Sequence, residues 1–572
     1  MLPRTPIPRH IGFIDFSRAK PGEGHWALYG LSAAGSVRLD NEEELARALG
    51  TRPTSAAGER GLDLVVRAYE RWGKDFAAHL VGDFAVVVFD RALGVACAAR
   101  DPFGVRPLAY RRTKHGMAFA SDAGALNHFE GELGEIDERS VRDFLTGDER
   151  SSTRTFFREV HRLAPGHVLR ADRTSTAVVR YWFPPDHVRT ETREACLEEF
   201  STRFKRAVSD RLRSESPILV QVSGGLDSSS IACVAAALAI DRKPPLHFMS
   251  AHFSEADERP FLASLEGHLR SPIAVFDADP GDDDEPLDRS HPSRYPLAAM
   301  TAGITSLAAR TGARVVLSGM GGDELLFERG VYRDLAADAR WLTLWREAGL
   351  ANRYSTRSRS FYLLDALRPR TLPKALTRAV RFVRSLRGQR RLPWLRLPPT
   401  EADDSPSVGD LPNHAWLSQT QQFTWQWLTG ARLVGSLEAE DRAASRDGLE
   451  MRYPFLDRRV AELVLGTAYE HRIPSGRLKV LLRDALVGVL PHRVRERTQV
   501  TTFDAVIAAA VVRKSRFVTD AIERGPWRSE RYVDRGGARA ALRDFLADPA
   551  DCAAAITVWD IASLEHWLRA VT

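Results

Sequence analysis

Short apolar runs broken by glycine, proline and aspartate fill the first third of the chain. Residues 84–90 (FAVVVFD) and 116–122 (GMAFASD) are such runs, and their length between turn residues predicts β-strands. Just before them, residues 62–73 (LDLVVRAYERWG) repeat apolar positions at helical spacing, so one face of this helix is apolar. Strands mixed with an amphipathic helix predict an antiparallel α+β domain.

A second pattern begins after the polar, proline-bearing stretch at residues 184–192. Residues 217–239 have the pattern of a mainly apolar strand, a glycine turn and an alanine-rich helix. Further strand-like runs alternate with helical segments: 246–253 (LHFMSAHF), 271–278 (SPIAVFDA) and 312–319 (GARVVLSG). This alternation is typical of a parallel sheet with crossover helices, so the sequence predicts an α/β domain. We place the boundary in the polar stretch, with one domain over residues 1–190 and the other over 191–572.

From residue 351 to 399 the composition shifts to arginine, leucine and proline. Charge runs of this kind are more often solvated helices than specific binding surfaces, so we interpret the segment as an inserted pair of solvated basic helices. The rest of the chain, to residue 572, is predicted to be mainly helical.

Composition narrows the class of protein. With 572 residues, 44% of them hydrophobic, the chain is long enough for two or more cores. A net charge of +6 is a modest excess at this size and does not indicate nucleic-acid binding. The four cysteines have no disulfide or zinc spacing, which favours a reducing cytoplasm. We find no signal-peptide pattern and no apolar run long enough to span a bilayer, so we expect a soluble, cytoplasmic protein with no membrane partner.

The strongest chemical signal is the string VSGGLDSS at residues 222–229, between an apolar strand and the start of a helix. Glycines let the backbone approach an anion, hydroxyls donate to phosphate oxygens, and the helix end supplies unsatisfied N–H groups. The lysine of the G-x-x-x-x-G-K-[ST] phosphate loop is missing, so a nucleoside triphosphatase of that type is disfavoured. Asp227 makes sense in an anion site only if a cation such as Mg²⁺ joins it to the phosphates. The string therefore predicts a magnesium-dependent pyrophosphate site.

A second glycine turn follows a later strand, in residues 315–324 (VVLSGMGGDE). Ligands of open parallel sheets lie beyond the carboxyl ends of the strands, so the two turns can face one site. Asp227 and Asp323 would then share the metal; the alternative is that both are surface carboxylates that cap helices. In a third segment, residues 476–483 (GRLKVLLR), Lys479 taken alone would be an ordinary solvated helical lysine.

In these segments the chain resembles the asparagine synthetase B superfamily, and the resemblance extends over nearly its whole length. Besides SGGLDSSS and LSGMGGDELL, it rests on DRAASRDGLEMRYPFLDRRV at residues 441–460 and, upstream, on GDFAVVVFD, AARDPFGVRPLAY and MAFASDAGAL. The resemblance implies an N-terminal glutaminase-like (Ntn-type) antiparallel α+β sandwich of the class II glutamine amidotransferase kind. It also implies a following α/β ATP-pyrophosphatase domain, similar to adenine nucleotide alpha hydrolases, with a helical C-terminal part.

The resemblance also implies cofactors and site residues. ATP and Mg²⁺ would be bound, with Asp227 and Asp323 as metal ligands. Lys479 matches a lysine that stabilises charge on the phosphate and on the tetrahedral intermediate. Glu438 and Asp441 are similarly placed to acidic residues near the acceptor. The candidate nucleotide-binding residues are Val222, Ser223, Gly224, Gly225, Leu226, Asp227, Ser228, Ser318 and Gly319.

Two departures from the family pattern bear on the reaction. A working glutaminase of this type needs a cysteine directly after the initiator methionine, and Leu2 stands there. We therefore expect a degenerate glutaminase half that makes no ammonia from glutamine. Met320 stands where asparagine synthetases resemble one another in carrying a glutamate and β-lactam synthetases carry a tyrosine. We expect the acceptor chemistry to have changed.

Among the branches that fit a glutaminase half without its cysteine, the chain most resembles lasso peptide cyclases, because the insertion around residues 353–427 adds wall for a peptide. Such enzymes would adenylate an Asp or Glu side chain of a precursor peptide and capture it with the peptide's N-terminal amine. The implied partners are the precursor peptide, a leader-binding protein and a leader peptidase.

Several alternatives stay open at this point. They are β-lactam formation from a small β-amino acid, asparagine synthesis from free ammonia, and a non-catalytic scaffold that only binds nucleotide. Modification of tRNA by an enzyme with a related pyrophosphate loop would need an RNA-binding appendage, and the glutaminase-like half fills that space.

Overall fold

A computed structural model describes residues 11–15, 26–28, 31–51, 57–127, 134–148, 151–239, 244–279, 289–292, 298–367, 392–398, 417–498 and 503–572. Leu2 lies outside the described residues, as do residues 368–391 and 399 of the basic segment at 351–399. Within that segment the structure describes a short 3-10 helix, Ala351–Arg353, and an α-helix, Arg359–Ala366. The basic helix pair therefore stays a prediction.

Two antiparallel sheets make up the framework of the first half. Their strands are β1 (Ile11–Asp15), β2 (Trp26–Leu28), β3 (Leu31–Leu39), β4 (Gly82–Asp90), β5 (Val95–Arg100), β6 (Ala109–Arg112), β7 (Gly116–Ala120), β8 (His161–Arg162), β9 (His167–Ala171) and β10 (Thr176–Arg180). One sheet has the order β1-β7-β6-β8 and the other β10-β9-β5-β4-β3-β2. The described helices of this half are α1 (Glu42–Leu49), α2 (Ala57–Trp72), α3 (Ala123–Asn127) and α4 (Glu138–Thr146). The predicted α+β class is confirmed.

The layers of this half follow from the alternation of side chains along the strands. In β4, Val86 and Val88 point to one face and pack in the cluster that includes α2. Ala85 and Phe89 point to the opposite face and pack in the cluster between the two sheets. Because successive side chains of a strand lie on opposite faces, this one apolar run serves both layers.

A five-stranded parallel sheet is the centre of the second half. Its strands are β11 (Ile218–Gln221), β12 (Leu246–His252), β13 (Ile273–Asp277), β14 (Val315–Leu317) and β15 (Glu450–Arg452). Their order is β13-β12-β11-β14-β15, and every neighbouring pair runs parallel, which confirms the predicted α/β class. The strand order reverses between β11 and β14, and ligands of such sheets lie at this switch point. The two glycine turns of the sequence follow these two strands.

The other regular elements described in this half are helices, and some of them pack against the sheet. The α-helices are α5 (Arg193–Arg211), α6 (Leu226–Leu238), α7 (Arg259–Leu269), α8 (Ala298–Thr311), α9 (Gly322–Leu326), α10 (Val331–Ala337), α11 (Trp341–Leu350), α12 (Arg359–Ala366), α13 (Gln419–Thr429), α14 (Ala431–Arg446), α15 (Arg458–Gly466), α16 (Val480–Ala485), α17 (His492–Arg495), α18 (Asp504–Arg513), α19 (Ser515–Glu523), α20 (Arg535–Ala547) and α21 (Cys552–Val571). In the described part of the chain, no helix has both the length and the apolar character needed to cross a membrane.

The last helices pack against the first half of the chain. Trp559 and Trp567 of α21 lie in one buried cluster with Phe144 of α4, Phe156 and Ala118 of β7. Trp567 has no exposed surface. The C-terminal helices therefore share a core with the N-terminal half.

Buried ion pairs also join the two halves. Arg211 of α5 lies 2.9 Å from Asp457 and within 3.6 Å of Asp40 and Asp83, which belong to the first half. The Arg211 side chain is 1% exposed, so these carboxylates are its partners in place of water. The boundary that we place at residue 190 falls between β10 and α5, and these contacts cross it.

Candidate active site

The first glycine turn, residues 222–225, joins β11 to α6 and brings backbone N–H groups and serine hydroxyls together. Gly224 has a φ of +70°, a left-handed conformation that suits glycine. The N–H of Ser223 donates to the Ser228 hydroxyl at 3.0 Å, and the two hydroxyl oxygens are also 3.0 Å apart. Both hydroxyls thus lie at the N-terminus of α6, where the first N–H groups have no intrahelical partner. This arrangement is a cradle for an anion.

The second glycine turn, between β14 and α9, lies directly against the first. A Cβ atom on Gly322 would be 2.4 Å from Cγ of Asp227, and one on Gly319 would be 3.0 Å from the backbone nitrogen of Ser228. A side chain at Gly322 would displace the Asp227 carboxylate, and one at Gly319 would crowd the backbone of Ser228. The close approach brings Asp323, the residue after Gly322, to the edge of the cradle.

The ammonium of Lys479 joins the carboxylates of the two turns. Its Nζ lies 2.6 Å from Oδ2 of Asp227 and 2.7 Å from Oδ1 of Asp323. Lys479 and Asp227 are mostly buried, whereas the Asp323 side chain is 64% exposed. Burial alone would lower the pKa of Lys479, but the two carboxylates raise the pKa above its usual value, so the ammonium stays charged. Burial raises the pKa of Asp227 against the pull of this ammonium.

Glu328, which the sequence did not single out, fixes the position of Lys479. Its carboxylate accepts from the backbone N–H groups of Lys479 and Val480, both at 2.9 Å. Lys479 has a φ of +60°, a left-handed conformation that is uncommon for a residue with a side chain. Such strained backbone persists only where surrounding contacts stabilise it, and it is concentrated at functional sites. The two hydrogen bonds to the buried Glu328 carboxylate stabilise this conformation.

The residues of this cluster fit a nucleotide with its magnesium ion. Oδ1 of Asp227 is buried and has no hydrogen-bond partner among the described residues. A buried carboxylate oxygen without a donor has capacity for a cation. Mg²⁺ is commonly held by one or two carboxylates together with phosphate oxygens and water. Asp227 and Asp323 would hold the ion, and the cradle with Ser223 and Ser228 would hold the phosphates.

An arginine supports the first turn from the side of α7. Arg497 donates to the carbonyl of Gly224 at 3.1 Å and to Glu258 at 2.9 Å, and its guanidinium lies 4.0 Å from the centre of the Phe261 ring. A Cβ atom on Gly224 would be 2.9 Å from both Glu258 and Phe261. Arg497 is far from the turn in sequence, and no motif marks it, so sequence reasoning missed it.

The remaining candidates of the two turns are placed by the sheet. Val222 is 2% exposed, and its N–H continues the β-sheet hydrogen bonding to the carbonyl of Met249 at 2.8 Å. Ser318 is also buried, and its N–H donates to the carbonyl of Arg452 at 3.0 Å. Gly225 is the residue before α6, and Leu226 begins that helix. Met320 is half-buried and packs against the core of the second half.

Glu438 and Asp441, the other two candidate catalytic residues, have ion-pair partners outside the Lys479 cluster. Glu438 lies 3.1 Å from Arg100 and 2.8 Å from Arg162, both in the first half of the chain. These arginines lower the pKa of Glu438 to about 2 although burial opposes them. Asp441 lies 3.7 Å from Arg106 of the same half. The structure thus places both carboxylates at the interface of the halves, and their catalytic role stays a prediction.

The fold and the site together define a class of protein: a glutaminase-like antiparallel sandwich followed by a parallel-sheet domain that has an anion cradle at its switch point. The model of the asparagine synthase family matches residues 199–569, and the model of a glutamine amidotransferase domain matches residues 33–182. Because the first match covers more than half of the 572 residues, the chain belongs to the asparagine synthase family of ATP-dependent amide ligases.

Named relatives agree with this family. The chain is 24% identical to asparagine synthetase [glutamine-hydrolyzing] 3 of Bacillus subtilis over 481 residues, which cover 80% of this chain and 73% of the relative. It is 23% identical to asparagine synthetase [glutamine-hydrolyzing] 1 of the same organism over 573 residues, with 95% and 85% covered. A putative asparagine synthetase of Mycobacterium bovis is 27% identical over 467 residues, with 76% and 69% covered.

Proposed function

We propose that this protein adenylates an Asp or Glu side chain of a peptide and closes a macrolactam ring with the peptide's N-terminal amine, as in lasso peptide formation. Membership of the asparagine synthase family supports the general part, ATP-dependent amide formation. The observation that carries the proposal is the cluster in which Lys479 joins Asp227 and Asp323 beside the glycine cradle.

In the first step, a carboxylate oxygen of the substrate attacks the α-phosphorus of ATP and the bond to pyrophosphate breaks. The cradle of Ser223, Ser228 and the first turn of α6 receives the charge of the departing pyrophosphate. Lys479, held in place by Glu328, donates to the phosphate oxygens on which charge develops. Magnesium, when bound by Asp227 and Asp323, would neutralise negative charge on the phosphates. The products are an acyl-adenylate and pyrophosphate.

In the second step, the amine attacks the activated carbonyl carbon, AMP leaves with the electrons of the broken C–O bond, and the amine loses a proton. An amide remains. When amine and carboxylate belong to one folded peptide, this step is unimolecular, and effective molarities can reach ~10⁵ M or more. A ring is therefore favoured over capture of a dilute free amine.

The cysteines of the chain support an amine source other than glutamine. Cys97, Cys196 and Cys233 are buried. Burial raises the pKa of Cys97 and of Cys233 to about 12, so these two thiols stay protonated and are poor nucleophiles. Cys552 begins α21, among the C-terminal helices. Since Leu2 lies outside the described residues, the degenerate glutaminase half remains part of the proposal.

The precursor peptide, a leader-binding protein and a leader peptidase are accordingly the proposed partners, and the cytoplasm is the proposed location. A second candidate is asparagine synthesis from free ammonia; the relatives are named asparagine synthetases, which favours this product, and glutamine-hydrolyzing, which is a different nitrogen source.

The test incubates the full chain with ATP, Mg²⁺ and peptides that have a free N-terminal amine and an Asp or Glu several residues along. We expect loss of one water from the peptide by mass spectrometry, together with AMP and pyrophosphate. The same peptide with Asn in place of Asp should release no pyrophosphate, and the N-acetylated peptide should form no ring.

Orthophosphate in place of pyrophosphate would overturn the adenylation step. Conversion of aspartate and ammonium to asparagine, with no ring formed from any peptide, would establish the second candidate. Release of glutamate from added glutamine would contradict the degenerate glutaminase half.

A further inference from the structure

Arg329 lies on the rim of the site, directly after the residue that holds Lys479. Its guanidinium is 3.6 Å from the centre of the Trp427 ring and 5.1 Å from that of Phe327. Among the described residues, no oxygen accepts a hydrogen bond from this guanidinium and no carboxylate pairs with it. A guanidinium that stacks through its face leaves its N–H edge available for a planar acceptor.

Arg333, a neighbouring arginine, provides a comparison, because its guanidinium has both an aromatic contact and a carboxylate partner. Arg333, four residues along, also lies over an aromatic ring, that of Phe423, at 5.2 Å. It donates to Asp365 at 2.9 Å, so its charge is paired within the protein. Arg329 stacks on Trp427 in the same way, but no described carboxylate pairs with it.

A second cation lies at the start of the helix that follows Trp427, the ring on which Arg329 stacks. Arg432, at the start of α14, has no carboxylate partner in the described part of the chain either. Burial lowers the pKa of Arg329 and the charge of Arg432 lowers it further, while Asp323 and Glu324 oppose both. Arg329 is therefore within electrostatic reach of the site's carboxylates, and an anion bound here would relieve the repulsion between the two arginines.

We propose that Arg329, stacked on Trp427 with its N–H edge unpaired, binds the carboxylate of the acceptor substrate; this assignment rests on the proposed function. The nucleotide phosphates already have Lys479 and the metal as counter-charges. The acceptor carboxylate is the anionic reactant for which that cluster provides no cation. A guanidinium edge fits a planar carboxylate with two parallel hydrogen bonds, which would also fix the angle of the carboxylate.

The test measures acceptor binding by calorimetry, with the full chain, Mg²⁺ and an ATP analogue whose α–β bridge is a methylene group. The probes are two C-terminally amidated peptides with free N-termini that differ only in one Asp or Asn. We expect the wild type to prefer the Asp peptide by about tenfold or more, and Arg329→Ala to lose this preference while binding the analogue normally. Arg357→Ala is the matched control, because Arg357 also stacks on an exposed ring, Phe361, at 4.4 Å, but in the α11–α12 region.

An Arg329→Ala protein that keeps the Asp preference overturns the assignment, and so does a wild type without any preference. A weaker affinity for the ATP analogue alone would mean that Arg329 contacts phosphate, which also overturns it. The experiments distinguish failure of the Arg329 carboxylate site from failure of the proposed adenylation reaction. A preference for the Asp peptide that depends on Arg329, without pyrophosphate release, supports the carboxylate site and refutes the reaction. Pyrophosphate release by Arg329→Ala with an unchanged KM for the peptide supports the reaction and refutes the carboxylate site.

Discussion

Replacement of Lys479 by methionine tests what the ammonium contributes to the chemistry of the site and to its stability. Methionine keeps most of the length of the side chain and removes the ammonium that lies 2.6 Å from Asp227 and 2.7 Å from Asp323. The loss of one preorganised donor to a developing oxyanion costs about 10²–10³ in kcat. We expect at least this loss in the rate of pyrophosphate release.

The same change leaves the Asp227 carboxylate buried without its cation. Breaking a buried ion pair costs about 3–5 kcal/mol, and the exposure of Asp323 places the effect at the lower end, about 3 kcal/mol. We therefore expect Lys479→Met to lower the free energy of unfolding in urea. The double variant Asp227→Asn/Lys479→Met removes the stranded charge, so it should recover stability and stay inactive.

The control is Lys205→Met, which removes one charge from the exposed side of α5 and should match the wild type in both measurements. Pyrophosphate release by Lys479→Met within threefold of the wild-type rate would refute the role of the ammonium. Recovery of activity in the double variant would show that Lys479 serves only to neutralise Asp227.

Three further predictions concern packing and charge. Gly322→Ala should reduce the rate of pyrophosphate release, because its Cβ would lie 2.4 Å from Cγ of Asp227, whereas Gly267→Ala, with open space around it, should have no effect. Glu438→Ala should lower the free energy of unfolding by about 3 kcal/mol, because it strands a buried arginine; an unchanged urea midpoint would contradict this. Burial raises the pKa of Glu440 from 4.5 to about 7, so the folded state loses stability as the pH rises from 4.5 to about 7, and the loss is complete at higher pH. Glu440→Gln should therefore raise the melting temperature at pH 8 and not at pH 4, and equal shifts at both pH values would refute the reasoning.

The parts of the site that are local in sequence could be predicted from it. The string at 222–229 carries its own strand, turn and helix start, and the structure places Ser223 and Ser228 as the string suggests. The second turn is equally local, and the rule for parallel sheets correctly places it opposite the first. Lys479 needed the family resemblance, because a single lysine in a helical pattern has no distinctive signal.

The supports of the site could not be predicted, because each depends on a contact between distant parts of the chain. Glu328 lies 151 positions before Lys479, and Arg497 lies 273 positions after Gly224. A helix pattern shows which face is apolar but does not identify the element that will cover it. For the same reason the sequence did not reveal that Glu438 pairs with arginines of the first half.

The packing of α21 against the first half has a consequence for synthesis on the ribosome. The ribosome makes the sheet formed by β1, β6, β7 and β8 long before the helix Cys552–Val571, which buries Trp559 and Trp567 against its neighbours. Until then the nascent chain carries an uncovered apolar surface, which favours aggregation or chaperone binding. Truncation of the chain before Cys552 would thus damage the folding of the N-terminal half, although the missing helix lies far from it in sequence.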